Sequence, residues 1–134
     1  MKRIGLFCGG FSSEFDISIK SAQTIRAHFP KDFECLIIVV KKNNWEVQLE
    51  NSSTPFNMNT GTYIFNGEEK KLDAGLVYTH GDPGENGKIQ AYLEMVGIPY
   101  INSGVLASAL SFDKWYCNQF LKGFGYHVAT SVLM

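Results

Sequence analysis

The sequence predicts an α/β domain: an open, mostly parallel sheet flanked by helices, with a small hairpin insertion at about residues 41–71. Three observations lead there. Short apolar runs that close on glycine, such as Arg3 to Cys8 before Gly9-Gly10, have the form of strands buried on both faces. Segments with apolar residues at helical spacing lie between those runs. The 134-residue length suits one core and leaves no room for a second full domain.

Each element follows in order. After the first strand, residues 15–28 place Ile17, Ile19, Ala22 and Ile25 near helical spacing, with Ser12 or Ser13 as N-cap and Pro30 as stop. "FECLIIVV" at 33–40 is a β-branched second strand. Residues 41–71 alternate turn signals with short pieces such as "WEVQL" and "TYIF", which suggests hairpins on the surface. "LDAGLVYT" at 72–79 is a further buried strand that runs into "HGDPGENG". Lys88 to Val96 continues as a helix closed by Gly97, "IPYIN" is a short strand, and "SGVLASALS" and "DKWYCNQFLKGFG" are two more helices, the last capped by Asp113. "YHVATSVLM" has the composition of a final strand, and its apolar finish reads as a cut in a longer chain.

Composition narrows the function. Twelve basic against 13 acidic residues, with no basic run beyond pairs, provide no electrostatic footprint for nucleic acid. No segment approaches the roughly 20 apolar residues of a membrane span. Cys8, Cys35 and Cys117 are odd in number, lie in mostly apolar settings and lack metal-ligand spacing, as expected of reduced thiols in a cytoplasmic protein.

In open α/β sheets, ligands bind beyond the carboxyl ends of the strands where strand order reverses. Two loops compete for that place, "GGFSSE" and "HGDPGENG", and they share one crevice if the second strand and the 72–79 strand flank the first on opposite sides. Glu14 falls at a helix start, where it either holds a cation or serves the helix as a cap or dipole partner. In the second loop Gly84 and Gly87 either free backbone N–H groups for an anion or simply form a hinge; Asp82 and Glu85 oppose phosphate, and His80 is the side chain placed to act at neutral pH. Lys114 at a helix start is disfavoured by the dipole unless an anion compensates. His28 and His127 are read as capping or packing residues.

Three stretches, "GGFSSEFDIS" at 9–18, "HGDPGENGKIQAYLEMVGIPY" at 80–100 and "NSGVLASALSFDK" at 102–114, resemble the N-terminal, pre-ATP-grasp domain of D-alanine–D-alanine ligases, a Rossmann-like unit. The resemblance implies ATP-dependent joining of two D-alanines through an acyl phosphate, for peptidoglycan synthesis. It implies that Glu14 anchors the ammonium of the first D-alanine, that His80 sits beside the same substrate, and that Ile17 and Ser18 lie near its pocket. It further implies that Ser103 and Gly104 shape the crevice wall, that Lys114 reaches the ATP phosphates, and that members form cytoplasmic homodimers. ATP and Mg2+ (or Mn2+) are the implied cofactors, with metal ligands and most nucleotide machinery outside these residues, so the chain alone is expected to be inactive. Ala91 and Phe112 depart from the common glycine and methionine, which affects packing. A D-alanine–D-lactate or D-alanine–D-serine ligase and a stand-alone small-ligand module of the same fold are the alternatives.

Overall fold

The computed structural model describes residues 1–134. The elements are β1 (Lys2–Gly9), α1 (Phe15–Ala27), β2 (Phe33–Val40), β3 (Trp45–Gln48), β4 (Ser53–Asn57), β5 (Thr62–Phe65), β6 (Glu68–Lys71), β7 (Ala74–Val77), α2 (Lys88–Met95), α3 (Val105–Phe112) and α4 (Lys114–Gly123). Successive side chains of a strand point to opposite faces, and this divides the core in two. Leu6 and Cys8 of β1, with Ile37 and Val39 of β2, pack under Ala22 of α1. On the other face Phe7, Ile38 and Val40 meet Ile89 and Leu93 of α2.

One seven-stranded sheet runs β6-β5-β4-β3-β2-β1-β7. Its centre is parallel, with β2 and β7 on opposite sides of β1. From β2 outward to β6 every pairing is antiparallel. The α/β class therefore holds, but the expected mostly parallel sheet is corrected to a mixed one: only the two pairings within β2-β1-β7 are parallel, because the tight hairpins after β2 can return the chain only antiparallel.

The hairpins differ from the expected surface insertion, because they extend the main sheet and contribute to its core. Trp45, Val47, Phe56 and Tyr63 are buried with Phe7. Trp45 meets Phe7 edge-on at 5.7 Å and Tyr92 at 5.0 Å between ring centroids. The physical reason is aromatic area, which is worth more buried against Phe7 than left on a surface ribbon.

Two expected strands are corrected. Around "IPYIN" only a single bridge, Gly75 to Tyr100, has strand character. Gly75 N–H donates to the Pro99 carbonyl at 2.8 Å, and Ile101 N–H donates to the Gly75 carbonyl at 3.0 Å. Beyond them the Asn102 side chain replaces a backbone unit: its Oδ1 accepts from Val77 N–H at 2.6 Å and its Nδ2 donates to the Val77 carbonyl at 2.8 Å. Residues 126–134 form no strand, since β-branched composition without a neighbouring edge leaves the backbone groups unpaired.

Candidate functional site

The strand order β2-β1-β7 puts a reversal between β1 and β7, and the pairing of Phe7 with Val77 brings both strands to the rim at one level. Two loops leave there side by side. They approach so closely that a Cβ on Gly10 would lie 2.4 Å from Thr79 Cγ2, and the second loop folds back on itself so tightly that one on Gly84 would lie 2.5 Å from Thr79 Cβ. Phe11 N–H donates to the Asp82 carbonyl at 2.9 Å, tying the first loop to the second.

Within the second loop, Gly81 N–H donates to Glu85 Oε2 at 2.7 Å, while Asp82 accepts from Asn86 Nδ2 at 2.8 Å and Lys88 Nζ at 2.9 Å. Partial burial opposes ionisation of Asp82, but the hydrogen bonds from Asn86 and Lys88 and the Lys88 charge outweigh it and hold the carboxyl below its ordinary range. The acidic side chains of "HGDPGENG" thus serve the loop itself. Its glycines serve close approach, and the stretch is an architectural turn that presents His80.

His80 and Glu14, 66 positions apart in the sequence, meet at this rim: Nδ1 lies 3.9 Å from Oε2. The Glu14 side chain is 56% exposed and that of His80 31%. Tyr78 packs edge-on to the imidazole at 5.6 Å, which fixes the ring plane. His80 Nε2 is enclosed with no partner. Glu14 occupies the N-cap position of α1 but makes no side-chain cap hydrogen bond. The capping alternative is thereby removed, while the carboxylate still stands at the helix end where the dipole favours a negative charge.

Neither Ser12 nor Ser13 is the N-cap expected from the sequence. Ser12 Oγ instead accepts from Glu14 N–H at 3.2 Å and donates to the His80 carbonyl at 3.0 Å. Ser18 is fully buried, and its hydroxyl is committed to the frame: it accepts from Gly9 N–H at 2.9 Å and donates to the Tyr78 carbonyl at 2.7 Å. Its position joins β1 to the strand that delivers His80. Ile17, one turn into α1, is 56% exposed.

Ser103 and Gly104 begin the turn into α3, where Gly104 is the N-cap and the Ser103 carbonyl accepts from Ser108 Oγ at 3.3 Å. Ser103 lines a polar cleft of about 230 Å³ with Thr79, Glu85, Gln90 and Asn102, against the carboxyl end of β7. Asp113 caps α4, its Oδ1 accepting from Tyr116 N–H at 3.1 Å. Lys114 stands exposed at the first position of that helix and enters no ion pair. No group of three or more His, Cys, Asp or Glu side chains gathers to hold a metal ion. A larger groove of about 620 Å³, lined by Arg26, Glu34, Cys35 and Glu50, opens near the amino end of β2.

The pairing role of Asn102 escaped the sequence reading, and Ser12 was read only as a possible N-cap, because a side chain that pairs with a strand or bridges two loops leaves no periodic signal. The only available hint was the polar pair following "PYI".

Comparison with known proteins gives a consistent result. A family model described as D-ala D-ala ligase N-terminus matches residues 3–103. The D-alanine–D-alanine ligase of Phocaeicola vulgatus is 42% identical over 137 residues, spanning 100% of this chain and 42% of that protein. The crystal structure of D-alanyl-alanine synthetase A from Vibrio cholerae shares 31% identity at a TM-score of 0.76, covering 92% of this chain and 38% of that one. A D-alanine–D-alanine ligase from Bacillus anthracis complexed with ATP shares 29% at a TM-score of 0.68, covering 93% and 37%. This chain thus spans less than half the length of these relatives.

Proposed function

We propose, because the chain belongs to the D-ala D-ala ligase N-terminus family, that it holds the first D-alanine during ATP-dependent formation of D-alanyl-D-alanine for peptidoglycan. The observation that supports this reading best is the Glu14–His80 pair: a carboxylate free of its own helix, 3.9 Å from an imidazole, at the switch point of the sheet.

Each residue then has a role set by its position. Glu14 takes the ammonium group of the amino acid as a charge-assisted hydrogen-bond acceptor. The α1 dipole favours a negative charge at that end, which suits a carboxylate there. His80, oriented by Tyr78, flanks the same substrate through Nδ1 and restrains its orientation. Exposed Ile17 provides apolar surface for the substrate methyl group. Ser18 acts through the frame, keeping the ends of the two strands together. Ser103 and Gly104 form the wall on the far side of β7.

ATP would supply the γ-phosphoryl group, with ADP leaving, to turn the first D-alanine's carboxylate into an acyl phosphate, from which the amine of the second would displace inorganic phosphate. Lys114 fits the role of a phosphate partner, since an exposed cation at a helix start is relieved by an anion. No three His, Cys, Asp or Glu side chains of this chain gather to hold a magnesium ion. Binding of the metal falls to residues outside those described. A cytoplasmic homodimer is part of the same proposal, and sedimentation of the chain tests the pairing.

Replacement of Glu14 by Gln in the complete ligase tests the assignment: the KM for the first D-alanine is expected to rise at least tenfold, about 1.4 kcal/mol. Unchanged kinetics would remove Glu14 from the site. The 134-residue chain by itself is expected to form no dipeptide, and turnover by it would refute the division of labour proposed here.

A further inference from the structure

We infer that Ser12 is the positioning residue that sets the Glu14 carboxylate against the His80 imidazole. This rests on the reading of those two residues given above. The geometry that carries it is a single hydroxyl serving both loops at once: Oγ accepts from the Glu14 N–H at 3.2 Å and donates to the His80 carbonyl at 3.0 Å. No other side chain hydrogen-bonds to the backbone of both candidate site residues.

The surroundings are shaped for this contact. A Cβ on Gly81 would lie 3.2 Å from Ser12 Cβ, and Gly81 has a φ of +70°, so the loop passes the serine at a distance and in a conformation that favour glycine. Phe11 N–H fixes the adjacent backbone by donating to the Asp82 carbonyl at 2.9 Å. The loops therefore remain docked when the hydroxyl is lost, while the relation between the carboxylate and the ring relaxes. A hydroxyl is the smallest group that can donate and accept along these two directions together.

The consequence is an effect on binding of the first D-alanine that stability alone does not explain. In the complete ligase, Ser12→Ala is expected to raise the KM for the first D-alanine about fivefold to tenfold, the loss of one or two modest hydrogen bonds. The second D-alanine's KM is expected to stay within about twofold, because the two residues that Ser12 positions are assigned to the first D-alanine alone. Ser12→Thr keeps the hydroxyl and is expected to restore the first-site KM to within about twofold of wild type. Ser12→Cys, close in shape but a poor hydrogen-bond partner, is expected to follow Ser12→Ala and supplies a second variant should alanine fold badly.

Glu14→Gln measured in parallel separates two failures. If it leaves the first-site KM unchanged, the reading of the site fails and the inference falls with it. If it raises that KM while Ser12→Ala and Ser12→Cys do not, the inference alone is overturned. Equal rises at both D-alanine sites would also overturn it, since they mark general damage rather than positioning.

Discussion

Ser18→Ala provides the sharpest test of how the rim is held. The hydroxyl is fully buried and joins two backbone groups, Gly9 N–H at 2.9 Å and the Tyr78 carbonyl at 2.7 Å. Removing it strands a buried donor, which costs about 1–3 kcal/mol, and a part-buried acceptor, which costs somewhat less. The expected total is therefore about 2.5 kcal/mol, a large share of the ~5–15 kcal/mol that holds a domain together. With a urea slope of about 2 kcal/mol/M for a domain of this size, the midpoint should fall by about 1.2 M. Equilibrium urea unfolding of the 134-residue chain, followed by tryptophan fluorescence, measures this, with Trp45 in the core as the reporter. A slope equal to wild type confirms that the change is one of stability. A midpoint shift under about 0.4 M would show that the two backbone groups find other partners, and the structural role given to Ser18 would fail.

Further outcomes follow from the same contacts. Gly84→Ala places a Cβ 2.5 Å from Thr79 Cβ and 2.8 Å from the Thr79 carbonyl, and this overpacking against backbone is expected to cost about 1–3 kcal/mol in the same unfolding assay. Asp82 is held below its ordinary value of 3.8; partial burial opposes this, and the Asn86 and Lys88 contacts prevail. A depressed folded-state pKa contributes stability above the unfolded value that is lost as pH falls through the folded one. Asp82→Asn should thus flatten the stability profile below about pH 4, and an unchanged acid limb would contradict the contact. Burial pushes the Cys8 thiol up to about 12, so its contribution is complete below pH 9.0 and is lost as pH rises from there toward 12. At pH 8 a thiol reagent should modify Cys8 only on unfolding, as read by peptide mass spectrometry, and rapid native labelling would refute its burial.

Legibility in the sequence followed the strength of the local signal. The second strand was read at 33–40, matching β2, because β-branched residues buried on both faces need no partner to declare themselves. The helix read at 15–28 closely matches α1, since apolar spacing and Pro30 agree. The strand β6, "EEKK", was not read: its side chains are mostly exposed, and it exists only as the charged outer edge that completes β5. The strand β4 carries Pro55 and turn-forming neighbours, and Phe56 is its one buried anchor. Residues 126–134 erred in the other direction, with composition suited to a strand and no edge to join.

The candidate site was legible at one remove. Neither Glu14 nor His80 stands out by spacing, and their meeting depends on a topological condition: β2 and β7 must flank β1 on opposite sides. That condition holds, with β1 pairing Leu6 to Ile37 on one side and to Leu76 on the other. The register then does the rest. A shift of one residue between β1 and β7 would move Gly10 away from Thr79 and break the 2.9 Å contact between Phe11 and Asp82. It would also turn the side chains of β7 to the opposite face, exchanging buried Val77 for exposed Tyr78. The apolar pattern of β7 and the polar geometry of the rim therefore select the same register, so the packing that stabilises the sheet also brings the Glu14 carboxylate within 3.9 Å of the His80 imidazole.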